Sequence, residues 1–257
     1  MASTDARPDA GTAPGTDPEP GTDTDEEDTL DLQLPEEFVT LFREQPADPD
    51  PDPGLAPDPG GPDAPTGDDL LDRVAHWGPT ATPEGLFQLV PVRLDQDAAL
   101  IGRWMNDPAV AAFWELAGPQ SVTEDHLRTQ LTGDGRSVPC LGLLEGTPMS
   151  YWEVYRADLD PLARHCPVRP HDTGLHLLVG DAADRGRGLG TTLIRAVAGL
   201  VLTRRTRCTR VLAEPDLRNT PSVAAFRKAG FELAAEIDLP GKRAALMVRE
   251  RGARELP

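Results

Sequence analysis

Between a strand-like stretch, Leu175-His176-Leu177-Leu178-Val179, and a helix-like stretch from Thr191, the chain runs Arg185-Gly186-Arg187-Gly188-Leu189-Gly190. Alternating glycines let successive backbone N–H groups turn toward one point, and the helix that follows adds its own unpaired donors and the positive end of its dipole. The pattern therefore predicts a phosphate-binding turn. Elimination narrows which phosphate. A P-loop closes on Gly-Lys-Ser/Thr, whereas this chain reads Gly190-Thr191-Thr192. A dinucleotide fingerprint needs its third glycine one residue later and an acidic residue about 20 positions on. Arginines stand there instead, around Arg204. A second group of chemically able residues, His165, Cys166, His171, Asp172 and His176, are all metal-ligand types within a dozen positions, but their spacing matches no familiar zinc pattern. A proline-rich loop, His165 to Pro170, leading into a strand accounts for them as well and is the favoured reading, so no metal is expected.

The elements that must position these residues occupy only part of the chain. Met1 to Leu70 holds 20 acidic residues against Arg7 and Arg43, which leaves 23 of each sign in the remainder, so the whole net charge of −18 belongs to this first segment. Thirteen of the 27 prolines are there too, with repeats such as Asp48-Pro49-Asp50-Pro51-Asp52-Pro53. Such a segment repels itself and has little apolar surface to bury, so residues 1–71 are expected to be a disordered acidic tail and 72–257 a single folded domain. Within the tail, Leu34, Phe38, Leu41 and Phe42 would line one face of a short helix opening at Pro35, either a docking element or a transient turn. The balanced charge of the remainder gives no electrostatic case for nucleic acid, and small molecules are the expected partners. No apolar run is long enough for a bilayer and Met1 to Asp5 lacks an export signal's pattern, so no membrane association and a cytosolic location are expected. Cys140, Cys166 and Cys208, odd in number and widely spaced, suggest reduced thiols rather than a disulfide framework.

Periodicity supplies the elements. Phe87 to Val92 reads as a strand, and Asp95 to Met105 carries Leu100, Ile101 and Trp104 at helical spacing. Ser121-Val122-Thr123-Glu124 has the form of a capping box opening a second helix. Val138 to Leu144 and Pro148 to Tyr155 flank Glu145-Gly146-Thr147 as a hairpin would, and Gly174 to Gly180 forms another strand. After the glycine turn come a helix Thr191 to Thr203, a strand Val211 to Ala213, a helix Ser222 to Lys228 and two closing strands, Phe231 to Ile237 and Arg243 to Val248. The predicted order is β-α-α-β-β-β-α-β-α-β-β.

That order, together with Arg185, Gly188 and Gly190 in an Arg/Gln-x-x-Gly-x-Gly/Ala pattern and with Asn219, Phe226, Lys228, Gly230 and Phe231 further on, resembles the GNAT acyltransferase superfamily. The resemblance implies an α/β (α+β) fold, a mixed central sheet whose fourth and fifth strands splay apart to admit an acyl-CoA. It implies that Leu178, Val179, Arg185, Gly186, Arg187, Gly188, Leu189, Gly190, Thr191, Asn219 and Phe226 bind that acyl-CoA, whether acetyl-, succinyl- or longer. Further segments, Trp104-Met105-Asn106-Asp107-Pro108, Phe113-Trp114, Tyr151 to Tyr155, Asp172 to Gly180 and Glu214 to Asn219, resemble the acyltransferases of hydroxamate siderophore biosynthesis. Those enzymes acylate the hydroxylamine of N6-hydroxylysine or a related N-hydroxylated diamine, and siderophore-pathway enzymes would be their partners. Trp104, Asn106, Trp152, Glu153 and Tyr155 would then line the acceptor pocket. The oligomeric state is not legible in the sequence.

In such an enzyme a bulged strand before the glycine turn aims a backbone N–H at the thioester oxygen, here from Leu178 or an immediate neighbour. His176 shares a strand face with Leu178 and titrates near neutral pH, which makes it the expected general base. The resemblance pairs it with Asp216, which would orient His176 or hold the substrate's cationic group. A histidine satisfied within the sheet and an aspartate serving a turn beside Pro215 are the structural alternatives. One departure stands out: the superfamily's general acid, a Tyr seven residues after the motif Asn, is Phe226 here, so water or a charged His176 would have to protonate the leaving thiolate. The competing functions are an aminoglycoside 6'-N-acetyltransferase-like enzyme and a non-catalytic GNAT-fold binding protein.

Overall fold

The structure, a computed structural model, describes residue 71 and residues 73–252; the acidic segment and its Leu34 to Phe42 stretch lie outside the described residues. In chain order the elements are β1 (Thr80–Thr82), β2 (Gly85–Pro91), α1 (Leu94–Met105), α2 (Pro108–Trp114), α3 (Gln120–Leu131), β3 (Ser137–Leu144), β4 (Thr147–Arg156), β5 (Thr173–Val179), α4 (Leu189–Arg204), β6 (Arg210–Ala213), α5 (Thr220–Lys228), β7 (Glu232–Leu239) and β8 (Lys242–Glu250). The predicted order is present, with two additions. The three-residue strand β1 pairs with β2 at the sheet edge. Helix α2 is written locally: Pro108 stands in its first turn, and the Asp107 side chain caps it by accepting from the Ala109 N–H at 2.9 Å.

The capping box expected at Ser121 does not form. Helix α3 begins at Gln120, with Pro119, two residues before Ser121, as its N-cap and no side-chain cap bond, so Ser121 already lies inside the first turn. Leu71, assigned from the sequence to the tail, is 2% exposed within the core.

One mixed sheet of eight strands runs β1-β2-β3-β4-β5-β6-β8-β7, antiparallel except between β5 and β6. The β3–β4 hairpin turns through Glu145 and Gly146, both at positive φ (49° and 76°), the geometry whose twist suits two antiparallel strands. Side-chain alternation divides the sheet's two faces. Trp152, Val154, Leu175, Val211, Ala245 and Met247 pack beneath α4 and α5. Tyr151, Leu141 and Leu178 meet Ile101, Trp104 and Met105 of α1 with Val110 of α2 and Leu127 of α3. Tyr155, Leu212, Ala244 and Leu246 continue that second face.

The parallel pair is the fold's functional break. β5 and β6 share only Thr173↔Val211 and Gly174↔Leu212. Beyond Ala213 the chain stays with β8, through Ala245 N–H to Pro215 O at 2.9 Å and Leu217 N–H to Arg243 O at 3.0 Å, so β5 loses its neighbour. The splay implied by the resemblance is therefore present, between the fifth and sixth strands once β1 is counted.

Candidate active site

β5 pairs with β4 in unbroken register from Arg156↔Thr173 to Ser150↔Val179, so the bulge expected near Leu178 is absent. Gly180 donates to Met149 O at 2.8 Å, which by alternation turns the Leu178 N–H toward β4 and leaves those of Leu175, Leu177 and Val179 facing the splay. The donors available to an oxyanion are thus Leu178's neighbours, and they need no bulge because β6 has already withdrawn.

His176 projects from β5 directly opposite Glu153 of β4. Its Nδ1 donates to Glu153 Oε2 at 2.9 Å, and its Nε2 makes a short contact with Glu214 Oε1, just past the end of β6. An ionised carboxylate only accepts, so carboxylates on both nitrogens require both to carry protons, which makes the ring an imidazolium. Burial alone would push His176 down; the charge of Glu214 and the hydrogen bonds to both carboxylates outweigh it and raise the group to about 10. Burial likewise works against ionised Glu153 and Glu214, but hydrogen bonds from His126 and then His176 draw Glu153 below the usual carboxylate range, and the His176 charge and hydrogen bond, helped by Lys242, do the same at Glu214. Tyr155 completes the Glu214 shell, donating to Oε2 at 2.7 Å with its ring 4.8 Å from that of His176. That ring fits because position 174 is glycine; a Cβ there would overlap it.

Glu153 is itself held from helix α3. His126 Nε2 donates to its Oε1 at 2.6 Å, Gln130 Nε2 at 2.7 Å and the Tyr151 hydroxyl at 3.0 Å. Gln130 is oriented by Ser137, whose hydroxyl donates to Gln130 Oε1 at 2.8 Å. Trp114 closes the pocket from α2, edge-on to both Tyr151 and His176.

The expected pairing of His176 with Asp216 is corrected. The Asp216 carboxylate faces the same cavity but is bound by Arg218, whose Nε and NH2 donate at 3.1 and 2.7 Å and whose backbone N–H donates at 2.7 Å. Orienting His176 falls to Glu214 and Glu153. Three expected acceptor-pocket residues are structural instead. Trp152, next to Glu153 in a strand, points to the opposite face, fully buried and donating to Ser150 Oγ at 2.8 Å. Trp104 packs against Gly180, where a Cβ would overlap its indole. Asn106 staples the turn before α3, donating to Gly118 O at 3.1 Å and accepting from the Gly118 N–H at 3.0 Å. Of the other two, Glu153 stands in the cavity wall beside His176, and Tyr155 is buried behind Glu214, which it holds. His126, Gln130, Trp114 and Glu214 escaped sequence reasoning; only Trp114 and Glu214 stood in segments that carried the family resemblance.

A cavity of about 270 Å³ contains His126, Glu153, His176, Glu214, Asp216, Phe226 and Lys242 in its wall. It shares Phe113, Trp114, Leu177, Asn219 and Ser222 with a second cavity of about 560 Å³ that runs past Leu178, Val179, Arg185, Gly186, Gly188, Gly190 and Thr191. Gly186 and Gly188 sit at φ 74° and 87° with open space where a side chain would be, so a ligand can approach the backbone closely. The first N–H groups of α4, at Leu189 and Gly190, have no intrahelical acceptor. The turn therefore fits a pyrophosphate, and the groove beside β5 fits an extended chain leading from it to His176. Arg185 serves this loop as a brace: its Nε donates to Val179 O at 2.9 Å, NH1 to Asp107 Oδ1 at 2.9 Å, and NH2 to Gly180 O. Arg187 and Leu189 are not in the wall of the groove; Leu189 packs against the core and Arg187 is exposed. Asn219 caps α5, accepting from the Ser222 N–H at 3.2 Å, and Phe226 stacks edge-on against Phe231 at 5.1 Å. Among the described residues no three His, Cys, Asp or Glu side chains gather as a metal site, and no helix is long and apolar enough to cross a membrane.

A strand pair opened over a glycine turn, with an imidazolium clamped beside the opening, defines an acyl-transferring enzyme of the CoA-dependent kind. Residues 93–239 match the model of the acetyltransferase (GNAT) domain, and the chain belongs to the GNAT acetyltransferase family. It is 35% identical over 180 residues, 69% of this chain and 80% of the other, to the lysine N-acyltransferase MbtK of Mycolicibacterium paratuberculosis. To the N(6)-hydroxylysine O-acetyltransferase of Escherichia coli it is 36% identical, over 60% of this chain and 49% of that one. Among solved structures it resembles the aminoglycoside acetyltransferase AAC(6')-Ib in complex with coenzyme A and kanamycin, with TM-score 0.59 and 26% identity over 65% of this chain and 96% of that one.

Proposed function

We propose that this protein transfers the acyl group of an acyl-CoA to the nitrogen of an N-hydroxylated amine, N6-hydroxylysine or a related hydroxylated diamine, to form a hydroxamate of the kind siderophores use. The reading rests on the likeness to the hydroxylysine and lysine acyltransferases and on one observation of the site, the His176 ring held between Glu153 and Glu214 at the mouth of the splay. The acyl-CoA supplies an activated carbonyl and a thiol leaving group. The N–H groups of Leu177 and Val179 face the place where charge develops on that carbonyl oxygen. A hydroxylamine is already neutral at physiological pH, so it needs no strong base before attack. As the new C–N bond forms, its nitrogen gives up a proton to Glu214. The His176 imidazolium gives its Nε2 proton to the sulfur as the C–S bond breaks, and Glu214 then returns the proton to His176. The net proton movement is from nitrogen to sulfur, and the role left open by Phe226 is filled. His176 is on this reading an acid before it is a base.

The cavity's charge favours this acceptor over an aminoglycoside. Its carboxylates are answered by cations, Glu153 and Glu214 by His176 and Asp216 by Arg218, with Lys242 near Glu214, so a polycation finds no surplus negative charge. The test is thiol release from acetyl-, succinyl- and longer acyl-CoAs with N6-hydroxylysine, with plain lysine as control and the hydroxamate read by its ferric colour. Release with N6-hydroxylysine and a ferric-positive product is expected. Absence of thiol release with every hydroxylamine tried overturns the reading.

A further inference from the structure

Lys242 opens β8 after a tight turn in which Pro240 precedes Gly241 at φ 81°, a pairing suited to a type II turn. Alternation along β8 sets it on the same sheet face as Ala244, and so on the face that bears Tyr155 and Leu212. Lys242 is in the wall of the acceptor cavity with its side chain 30% exposed, and the charged neighbour of its ammonium group is Glu214 Oε1 at 4.0 Å, beyond hydrogen-bond reach. That oxygen is already taken by His176 and the other oxygen of Glu214 by Tyr155. Asp216 is taken by Arg218 and Glu153 by two histidines. Among the described residues, Lys242 is thus the ionic group of this cavity whose three N–H donors have no hydrogen-bonded protein acceptor.

We infer that Lys242 is the receptor for a carboxylate on the substrate. A substrate carboxylate there would meet a charge-assisted donor that the protein leaves free, while a substrate without one leaves the ammonium group to water. Two parts of the reaction could bring that carboxylate: an amino-acid acceptor by its α-carboxylate, or a dicarboxylic acyl donor by its far end. The inference rests on the acyl-transfer reading above for its kinetic arm only.

The experiment compares full-length wild type with Lys242→Met and Lys242→Arg. In the kinetic arm, N6-hydroxylysine is set against N-hydroxycadaverine, each with acetyl-CoA and with succinyl-CoA. Lys242→Met is expected to lower kcat/KM about 10- to 100-fold more for the carboxylate-bearing member of one pair than for its carboxylate-free counterpart. Which pair responds identifies the source, and Lys242→Arg restores much of the difference. In the binding arm, which needs no turnover, calorimetry measures lysine against cadaverine, and succinyl-CoA against acetyl-CoA. Wild type is expected to favour the carboxylate-bearing member of one pair, and Lys242→Met to lose that preference. If the binding preference vanishes in the variant while wild type releases no thiol from any pair, the carboxylate receptor stands and the acyl-transfer reading fails. Equal losses for all substrates, or no change, overturn the inference and leave Lys242 as a neighbour of Glu214.

Discussion

On the proposed mechanism the histidine expected from sequence to be a base acts first as an acid, and the reason lies in its two carboxylate neighbours. Because His176 is raised to about 10, its charged form persists through neutral pH. The stability it contributes is complete below the ordinary imidazole value and is lost as pH rises through about 10. The carboxylates run the other way: Glu153 and Glu214 are lowered, so their contribution is present above the ordinary carboxylate range and is lost only in acid. Melting scans across alkaline pH are expected to show a fall toward pH 10 in wild type, and Glu214→Gln is expected to begin that fall at lower pH. The same substitution is expected to reduce kcat by about 10²- to 10⁴-fold, the usual span for losing a proton-transfer group. Asp216→Asn, which removes a partner of Arg218 and not of His176, is expected to leave the alkaline limb of the pH–rate profile where it was. A wild-type limb near the ordinary imidazole value would show that Glu153 and Glu214 do not hold the proton.

At the scale of elements, the site depends on places where backbone geometry admits no substitute. Gly188 precedes α4 with φ 87°, and an alanine there costs about 1–2 kcal/mol of backbone strain while filling the space above the turn. Gly188→Ala is expected to raise KM for the acyl-CoA about tenfold or more, with the alkaline limb set by His176 unchanged; an unaltered KM would move the pyrophosphate elsewhere. Gly174→Ala acts on the other end of β5. It pushes on Tyr155, which then loses Glu214, and overpacking of this kind costs about 1–3 kcal/mol. Chemical denaturation measures that cost directly, and a neutral result would mean that Tyr155 has room that its contact with Gly174 does not suggest.

For the whole molecule, net charge and chemistry belong to different parts of the chain. Residues 1–70 carry the −18, while the described residues build the sheet, both cavities and the His176 cluster. Leu71 is buried and bonds to Gly135 O at 3.2 Å, so a cut should fall before it. A chain beginning at residue 67 is expected to melt within about 2 °C of the full chain and to keep its rise in melting temperature on adding CoA, because binding to the folded state alone stabilises it. A larger drop would assign the acidic segment a part in the fold.

Periodicity and turn chemistry, which are local, determined the strand and helix order, the hairpin at Glu145-Gly146, the glycine turn and, by the two-residue alternation of β4, that Glu153 and Tyr155 share a face. Trp152 was nonetheless expected in the same pocket, which the same alternation forbids, and the structure places it on the opposite face. Helix α2 was not expected, although its local signal stands in Asp107-Pro108, where an aspartate cap meets a proline in the first turn. What surrounds His176 was decided only by tertiary structure. Glu214 reaches it because β6 leaves β5 after two residue pairs, and His126 and Gln130 reach Glu153 because α3 packs over β3 and β4. Those partners stand 23 to 38 residues from the residues they hold, and their effect is electrostatic: burial and two carboxylates set the proton on His176. Sequence patterns report local backbone preference, whereas a proton's affinity for a buried ring depends on which charges the fold brings within a few ångströms of it.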